Sequence, residues 1–408
     1  MHVLITTSTF PLWDNDGIPR FVYDLAKALS RRCRVTVLAP HHPGVWRQES
    51  FGNLTIERFQ YSWPAGSQRL AYGYGMRDNI RQSWMAKAQV PVYIASLCLA
   101  VGKLLRKERF DVVNSHWIVP QGLAVSLALK GFPETAHVVT AHAGDVFLLK
   151  KMKVGKLIAR YVASHTDMFL PVGSHVASNL NAMVGTQVPQ AIQPMGVDHA
   201  VFSASPNKAL PKLPFNGNFI LFIGRLVEKK GLTYLLDALK LLFFRGFDVG
   251  LVVIGSGTLK ARMKEKAFQL GIEDRVSFMG ALGHESILPY LQSCKVVVIP
   301  SILDPSSETE GMPTVLAEAL SCGCKVVASK VGGIPDVLID GRNGWLARPA
   351  DAQDLADKLM TALGHCGGNV GNNARQSVRD LDWGCIAERY GDVFRDAVQH
   401  RQGRKDRV

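Results

Sequence analysis

What this chain lacks narrows it before any motif is read. Cysteine is scarce: seven in 408 residues, at positions 33, 98, 294, 322, 324, 366 and 385, an odd and scattered set. No Cys-x2-Cys pair occurs and Cys322-Gly-Cys324 has no matching ligand pair, so neither a zinc site nor a disulfide framework is expected, and a reducing compartment fits. The start, Met1 to Thr7, lacks the basic flank of a signal peptide. The longest uncharged stretch, Ala88 to Gly102, is shorter than the ~18 to 20 residues that span a bilayer, and Pro91 interrupts it, so an integral membrane protein is not expected. Negative charge is in short supply, with 34 Asp and Glu against 47 Lys and Arg, a net +13 with histidine neutral. No helix-turn-helix, zinc-finger or RNA-recognition signature accompanies that excess, so nucleic acid is not an expected partner.

What is there is ordinary globular material: 47% hydrophobic and 20% charged residues, in a length that suits two or three domains. The positive charge is uneven. Residues 1–197 hold 21 Lys and Arg against 11 Asp and Glu, a balance of +10, whereas residues 198–408 balance at +3. Two clusters stand out, Lys103-Arg106-Lys107-Arg109 and Lys150-Lys151-Lys153-Lys156-Arg160, each beside apolar residues at helical spacing. A basic amphipathic helix suits an anionic membrane surface or partner; the plainer alternative is a solvated helix face.

Both halves alternate short β-rich runs with helical patterns. The first half reads as strands at Met1–Thr6, Arg34–Ala39, Asp111–Ser115, Ala136–Thr140, Met168–Pro171 and Ala191–Pro194, separated by helices such as Ile18–Arg31 and Ile94–Lys107. The second reads as strands at Phe219–Ile223, Asp248–Ile254, Val276–Met279, Lys295–Pro300 and Lys325–Ser329 with helices between. Apolar strands alternating with helices predict parallel sheets covered on both faces. The polar, proline-punctuated stretch Val197–Asn218 reads as an interdomain connection, and Trp383–Gln399 as an amphipathic helix with Trp383, Ile386, Tyr390 and Phe394 on one side. In doubly wound sheets ligands bind beyond the carboxyl ends of the strands, so the loops there are where chemistry is expected.

Five such loops hold candidates. Gly224-Arg225-Leu226 with Lys229-Lys230-Gly231 places cations after a strand and beside a helix start, which suits a diphosphate; a solvated surface loop is the alternative. Gly255-Ser-Gly257 allows a sharp turn and close ligand approach but fails as a dinucleotide fingerprint, because Lys260 takes the third small position. Glu310-Gly311-Met312-Pro313-Thr314-Val315 leads into a helix bearing Glu318. The two carboxylates can accept from sugar hydroxyls, and the free N–H groups of Thr314 and Val315 suit an anion. Helix capping by Glu310 is the plain alternative there. The first βα loop carries Asp14, Asn15, Asp16 and Gly17, a phosphate approach or an ordinary turn. Finally, His142 and Asp145 follow a strand of the first half and could meet substrate, with His116 a lesser case.

Together these stretches resemble glycosyltransferase family 4, the retaining, nucleotide-sugar-dependent enzymes of the GT-B fold. The most specific piece is Glu310-Gly-Met-Pro-Thr-Val-Leu-Ala-Glu318-Ala, followed by Gly323 and Gly332-Gly333-Ile-Pro335. The resemblance implies an α/β architecture of two Rossmann-like domains facing across a cleft. Residues 1–197 would form the acceptor-side domain, 198–380 the nucleotide-sugar domain, and 381–408 a C-terminal helix packed back on the first. It implies that Arg225 and Lys230 neutralise the donor diphosphate and that Glu318 holds the ribose. Glu310 would face the sugar, lined by the Gly311, Met312 and Pro313 backbone. His142 would stand near the reacting carbon and Gly17 near the distal phosphate, with Gly224, Gly255, Thr314 and Val315 completing the donor site. The expected reaction moves a sugar from a UDP-, GDP- or ADP-sugar to a saccharide or lipid-linked hydroxyl in polysaccharide or glycolipid synthesis. Neither a cofactor nor a metal is expected, since the cations replace one. The expected place is the cytoplasm, at the inner face of its membrane. The competing readings are a nucleotide-sugar epimerase of the same fold, an NAD-dependent dehydrogenase, which would need a full glycine fingerprint, and a non-catalytic sugar-binding protein.

Overall fold

The computed structural model describes the chain except residues 14–17, 74, 186–188, 204–212, 214, 216, 306–307, 366–367 and 406–408, with 404–405 as backbone only. It divides into two compact units: Met1–Pro194 with Trp383–Val408, and Met195–Asp382.

The first unit begins β1 (His2–Thr6), α1 (Phe21–Ser30), β2 (Arg34–Pro40), β3 (Gln48–Phe51) and β4 (Leu54–Phe59). It continues with α2 (Met76–Gln82), α3 (Trp84–Lys107), β5 (Val112–His116), α4 (Leu123–Ala128) and β6 (Ala136–Ala141). Then come α5 (Ala143–Lys151), α6 (Gly155–Ser164), β7 (Met168–Pro171) and α7 (Ser174–Val184). The sheet order is β3-β4-β2-β1-β5-β6-β7, parallel except for the antiparallel β3–β4 pair. β1, β5 and β6 are buried at every position, as parallel strands covered on both faces must be.

The second unit holds β8 (Phe219–Ile223), α8 (Leu232–Phe244), β9 (Gly250–Ile254), α9 (Lys260–Gln269), β10 (Val276–Gly280), α10 (Leu288–Ser293) and β11 (Val296–Ile299). After these follow α11 (Thr314–Ser321), β12 (Val326–Ser329), β13 (Trp345–Ala347), α12 (Ala352–Gly364) and α13 (Val370–Ser377). Its parallel sheet runs β10-β9-β8-β11-β12-β13. In each unit the strand order reverses about the first strand, β1 or β8, which opens a crevice at the carboxyl ends of the central strands.

The last helix, α14 (Trp383–Lys405), belongs to the first unit. Ile386, Ala387, Tyr390, Phe394 and Ala397 on it are wholly buried, and it packs on α1 and β6. The Tyr390 hydroxyl lies 3.4 Å from that of Thr140 on β6.

The structure departs from the sequence expectations in particular places. Helix α3 starts ten residues before Ile94 and runs through Pro91. Ser83 caps it, accepting from the Ala86 amide at 3.3 Å, and Pro91 sits on the exposed side. By length and composition α3 could cross a membrane, yet its inner face fills the core of the first unit. The basic stretch 150–160 is not one helix but the end of α5, a turn and the start of α6. Ala191–Pro194 forms no strand; its neighbour Gln190 makes an isolated bridge to Phe169. The start of the expected connection is packed rather than free, because Phe202 is buried and its carbonyl accepts from Ser321 Oγ at 2.6 Å.

Candidate active site

In the second unit the predicted loops converge after β8, β9, β11 and β12. The glycines there serve backbone-to-backbone approach. Gly231, at φ +67°, lies so close to the Pro300 carbonyl that a Cβ would overlap it. Gly332 and Gly333 meet the carbonyls of Glu310 and Gly311 in the same way, and the Gly333 amide donates to Gly311 at 2.7 Å. Gly255 has its open side against the Gly224 carbonyl, so one close approach it permits is to the neighbouring loop. The Gly224 amide donates back to Ile254 at 2.9 Å. Lys230 passes over Gly224, its Cε about where a side chain would just touch, at 3.5 Å.

These clasped loops hold one buried carboxylate against two cations. Glu310 Oε2 is 3.2 Å from Lys230 Nζ and its Oε1 is 3.7 Å from Lys229 Nζ. Burial alone would raise the Glu310 pKa, but Lys229, Lys230 and Arg225 together bring it down to about 2. It does not cap α11, whose first turn follows Pro313 with no side-chain cap, so the capping alternative is not what the structure shows. Met312 and Pro313 stand between Glu310 and the amides of Thr314 and Val315, which open α11. Glu318, one turn inside, is buried and 3.9 Å from His284 Nδ1. Arg225 is exposed at the rim of the same loop.

Sequence reasoning named Lys229 in its cation loop but gave the diphosphate role to Lys230 and Arg225 alone, and it missed His284. Lys229 is as well placed as Lys230, with its ammonium also 3.4 Å from the Thr309 carbonyl, and its adjacency to Lys230 was the available signal. His284 has no sequence signal, since it reaches Glu318 only through the fold.

In the first unit His142 stands at the residue before α5, making no side-chain cap, and meets His116 from the end of β5, Nε2 to Nδ1 at 3.2 Å. The Trp117 ring lies over His142 with centroids 4.8 Å apart, and Phe21 stands at 5.4 Å. Burial holds the His142 pKa down to about 3, and burial beside His142 holds that of His116 well below the ordinary range, so both rings are neutral near pH 7. His116 Nε2 is buried without a partner among the described residues. An orphaned N–H is costlier than an orphaned lone pair, so the His116 proton belongs on Nδ1, donating to His142. His142 then carries its own proton on Nδ1 and presents a donor. Asp145 does not join it: its carboxylate turns inward, Oδ2 accepting from the Ile118 amide at 2.6 Å, and burial raises its pKa to about 7.

Gly17 lies outside the described residues, as does the triplet Asp14-Asn15-Asp16. That triplet and Asp380-Leu381-Asp382 are Asp-x-Asp sequences, yet among the described residues no three His, Cys, Asp or Glu side chains are grouped to hold a metal.

Two doubly wound units, each with its polar residues beyond the carboxyl ends of a parallel sheet, define the GT-B class of glycosyltransferase. Comparison agrees: a family model described as glycosyl transferases group 1 matches residues 207–367, and one described as glycosyltransferase family 4 matches residues 15–201. The chain belongs to glycosyltransferase family 4, group 1, and is an enzyme of the hexosyltransferase type. It is 25% identical to an uncharacterized glycosyltransferase of Methanocaldococcus jannaschii over 69% of this chain and 75% of that protein. It is 30% identical to the amylovoran biosynthesis glycosyltransferase AmsK of Erwinia amylovora, over 61% of this chain and 60% of the relative. Among solved structures, sucrose-phosphate synthase from Thermosynechococcus elongatus superposes with a TM-score of 0.77 at 19% identity, covering 97% of this chain and 98% of that one. Anabaena HepE in complex with UDP and glucose superposes at 0.70 and 16% identity, covering 96% and 99%.

Proposed function

We propose that this enzyme transfers a hexose, with retention, from a nucleoside diphosphate sugar to a hydroxyl of a saccharide or lipid-linked acceptor in polysaccharide assembly. The observation that carries the reading is Glu310 held between Lys229 and Lys230 at the crevice of the second unit, with Arg225 beside it. Breaking the bond from the anomeric carbon to the phosphate oxygen builds negative charge on the diphosphate. Arg225 and Lys230 take up that charge with Lys229, and preorganised donors of this kind lower a barrier by ~3 kcal/mol each. No divalent metal is then required. The Thr314 and Val315 amides supply further donors, and the carboxylates of Glu310 and Glu318 accept from sugar and ribose hydroxyls. His142 offers its Nδ1–H to the sugar near the reacting carbon. Among the described residues the carboxylates of the site, Glu310 and Glu318, are engaged with Lys229, Lys230 and His284, which favours same-face attack guided by the leaving phosphate as the route to retention.

UDP and glucose bound to HepE, and the polysaccharide named for AmsK, make a uridine donor and a polysaccharide acceptor the first to try. The positive balance of residues 1–197 supports an acceptor, and contact with the inner face of the cytoplasmic membrane, on the side of the first unit. The test is thermal unfolding with UDP, GDP, ADP and their sugars, for the wild type and Arg225→Ala. One nucleotide raises the melting temperature of the wild type and raises that of the variant less. A panel without any shift, or equal shifts in both proteins, refutes the donor site.

A further inference from the structure

Helix α3 is half core and half surface. Ala86, Tyr93, Leu97 and Val101 are wholly buried in the first unit. The opposite side is exposed and almost without polarity: Trp84 is 79% exposed, Val92 49% and Leu99 74%, with Met85, Ala88 and Ala95 between them. At 100° per residue these share an arc of roughly 100°, and at 1.5 Å per residue the row is about 22 Å long. Lys103 and Arg106 continue the same arc one turn further, Lys87 flanks it, and all three are exposed. No carboxylate occurs between Trp84 and Lys107. A second tryptophan, Trp63, is 84% exposed on a loop fastened to this helix. Gln89 of α3 holds that loop, donating to the Ser67 carbonyl at 2.8 Å and accepting from the Arg69 amide at 2.9 Å.

We propose that this face of α3 is a docking surface for an anionic phospholipid bilayer, with the helix lying in the plane of the interface. The inference rests on the lipid-linked, membrane-side reading above and names where contact is made. An apolar row ending in basic residues, with tryptophan at its margin, matches an interface whose interior is apolar and whose headgroups are negative. A second copy of the chain fits worse, because two such faces would bring Lys87, Lys103 and Arg106 of both together with no carboxylate on either helix. The other basic stretch is less suited: α5 and α6 break apart at a turn, and Lys150 Nζ is already engaged with Asn179 Oδ1 at 3.0 Å.

Sedimentation with phosphatidylcholine vesicles, with and without phosphatidylglycerol, tests this on the full chain. The wild type binds the anionic vesicles and loses binding in high salt. Trp84→Glu/Val92→Glu/Leu99→Glu lowers the partition coefficient at least about tenfold, since three exposed apolar contacts are replaced by charge. Lys150→Glu/Lys151→Glu/Lys153→Glu binds like the wild type. All the substituted side chains of α3 are exposed, so an unchanged melting temperature verifies folding. The proposal is overturned if the wild type does not bind, if the α3 variant binds equally, or if only the 150–153 variant is impaired. It is also overturned if the wild type is a dimer that the α3 substitutions dissociate. None of these residues lies in the donor loops, so the nucleotide shift of the α3 variant is that of the wild type; a missing shift in both proteins faults the transferase reading and leaves the docking result to stand alone.

Discussion

Lowering the pH should weaken the first unit by an amount its buried groups set. His116, His137 and His142 are held below their ordinary pKa by burial, the last two at about 3. A histidine with a depressed folded pKa contributes stability above pH 6.5 that is lost as the pH falls, because the unfolded chain takes the proton and the folded one does not. Between pH 6 and 5 each costs about 1.4 kcal/mol per pH unit. Asp145 runs the other way. Its pKa is raised from 3.8 to about 7, so in the same window the folded state holds a proton that the unfolded state has lost, and acidification favours the fold. From these four groups, three histidines against one aspartic acid leave a loss of about 2.7 kcal/mol per pH unit, and His2 and His41, whose pKa values burial also lowers, act in the same direction. Asp145→Asn keeps an oxygen for the Ile118 amide but removes the offset, steepening the slope to about 4 kcal/mol per pH unit. Urea unfolding followed by tryptophan fluorescence at half-unit steps from pH 7 to 5 measures both slopes. A flat wild-type profile, or parallel profiles for the two proteins, would show that these side chains are not buried as described.

Three further substitutions probe the second unit. Glu310→Gln leaves Lys229 and Lys230 without their carboxylate and should destabilise the unligated protein by about 3 kcal/mol. If diphosphate takes over the lysines, saturating nucleotide raises its melting temperature more than that of the wild type; an equal or smaller rise contradicts the assignment. Gly231→Ala forces a Cβ onto the Pro300 carbonyl at positive φ and should cost about 2 to 4 kcal/mol in urea titration. Gly246→Ala, also at positive φ but in open space, should cost only about 1 kcal/mol, and similar losses at both would refute the clasped-loop geometry.

The parts of this architecture that could be read beforehand are those written in consecutive residues. Buried parallel strands announce themselves as apolar runs, and the segment from Glu310 to Glu318 carries its loop, its helix start and both carboxylates in one short string. Pairings made through space were not legible. Nothing near His116 in the chain points to His142, twenty-six positions later, and His284, in the turn just before α10, meets Glu318 only through the fold. Glycine is legible as closeness without direction: the sequence marks Gly255 as a place of close approach, and only the fold shows the Gly224 carbonyl against it. Pro91 misled for a related reason: proline was read as a break, yet on the solvent side of a helix anchored by Tyr93, Leu97 and Val101 the core side decides. The β3–β4 hairpin escaped because β4 alternates buried and half-buried positions, a weaker pattern than the continuous apolar runs around it.

The place of α14 shapes how the molecule must be made. Because the first unit is completed by residues after Trp383, a ribosome has to finish all of Met195–Asp382 before that helix exists. The intervening unit is contiguous and can fold while synthesis continues, whereas the amino-terminal sheet waits with the surface meant for Ile386, Tyr390 and Phe394 still bare. Translation order and maturation order are thus inverted, and a nascent chain stalled near its end would present that uncovered surface to chaperones.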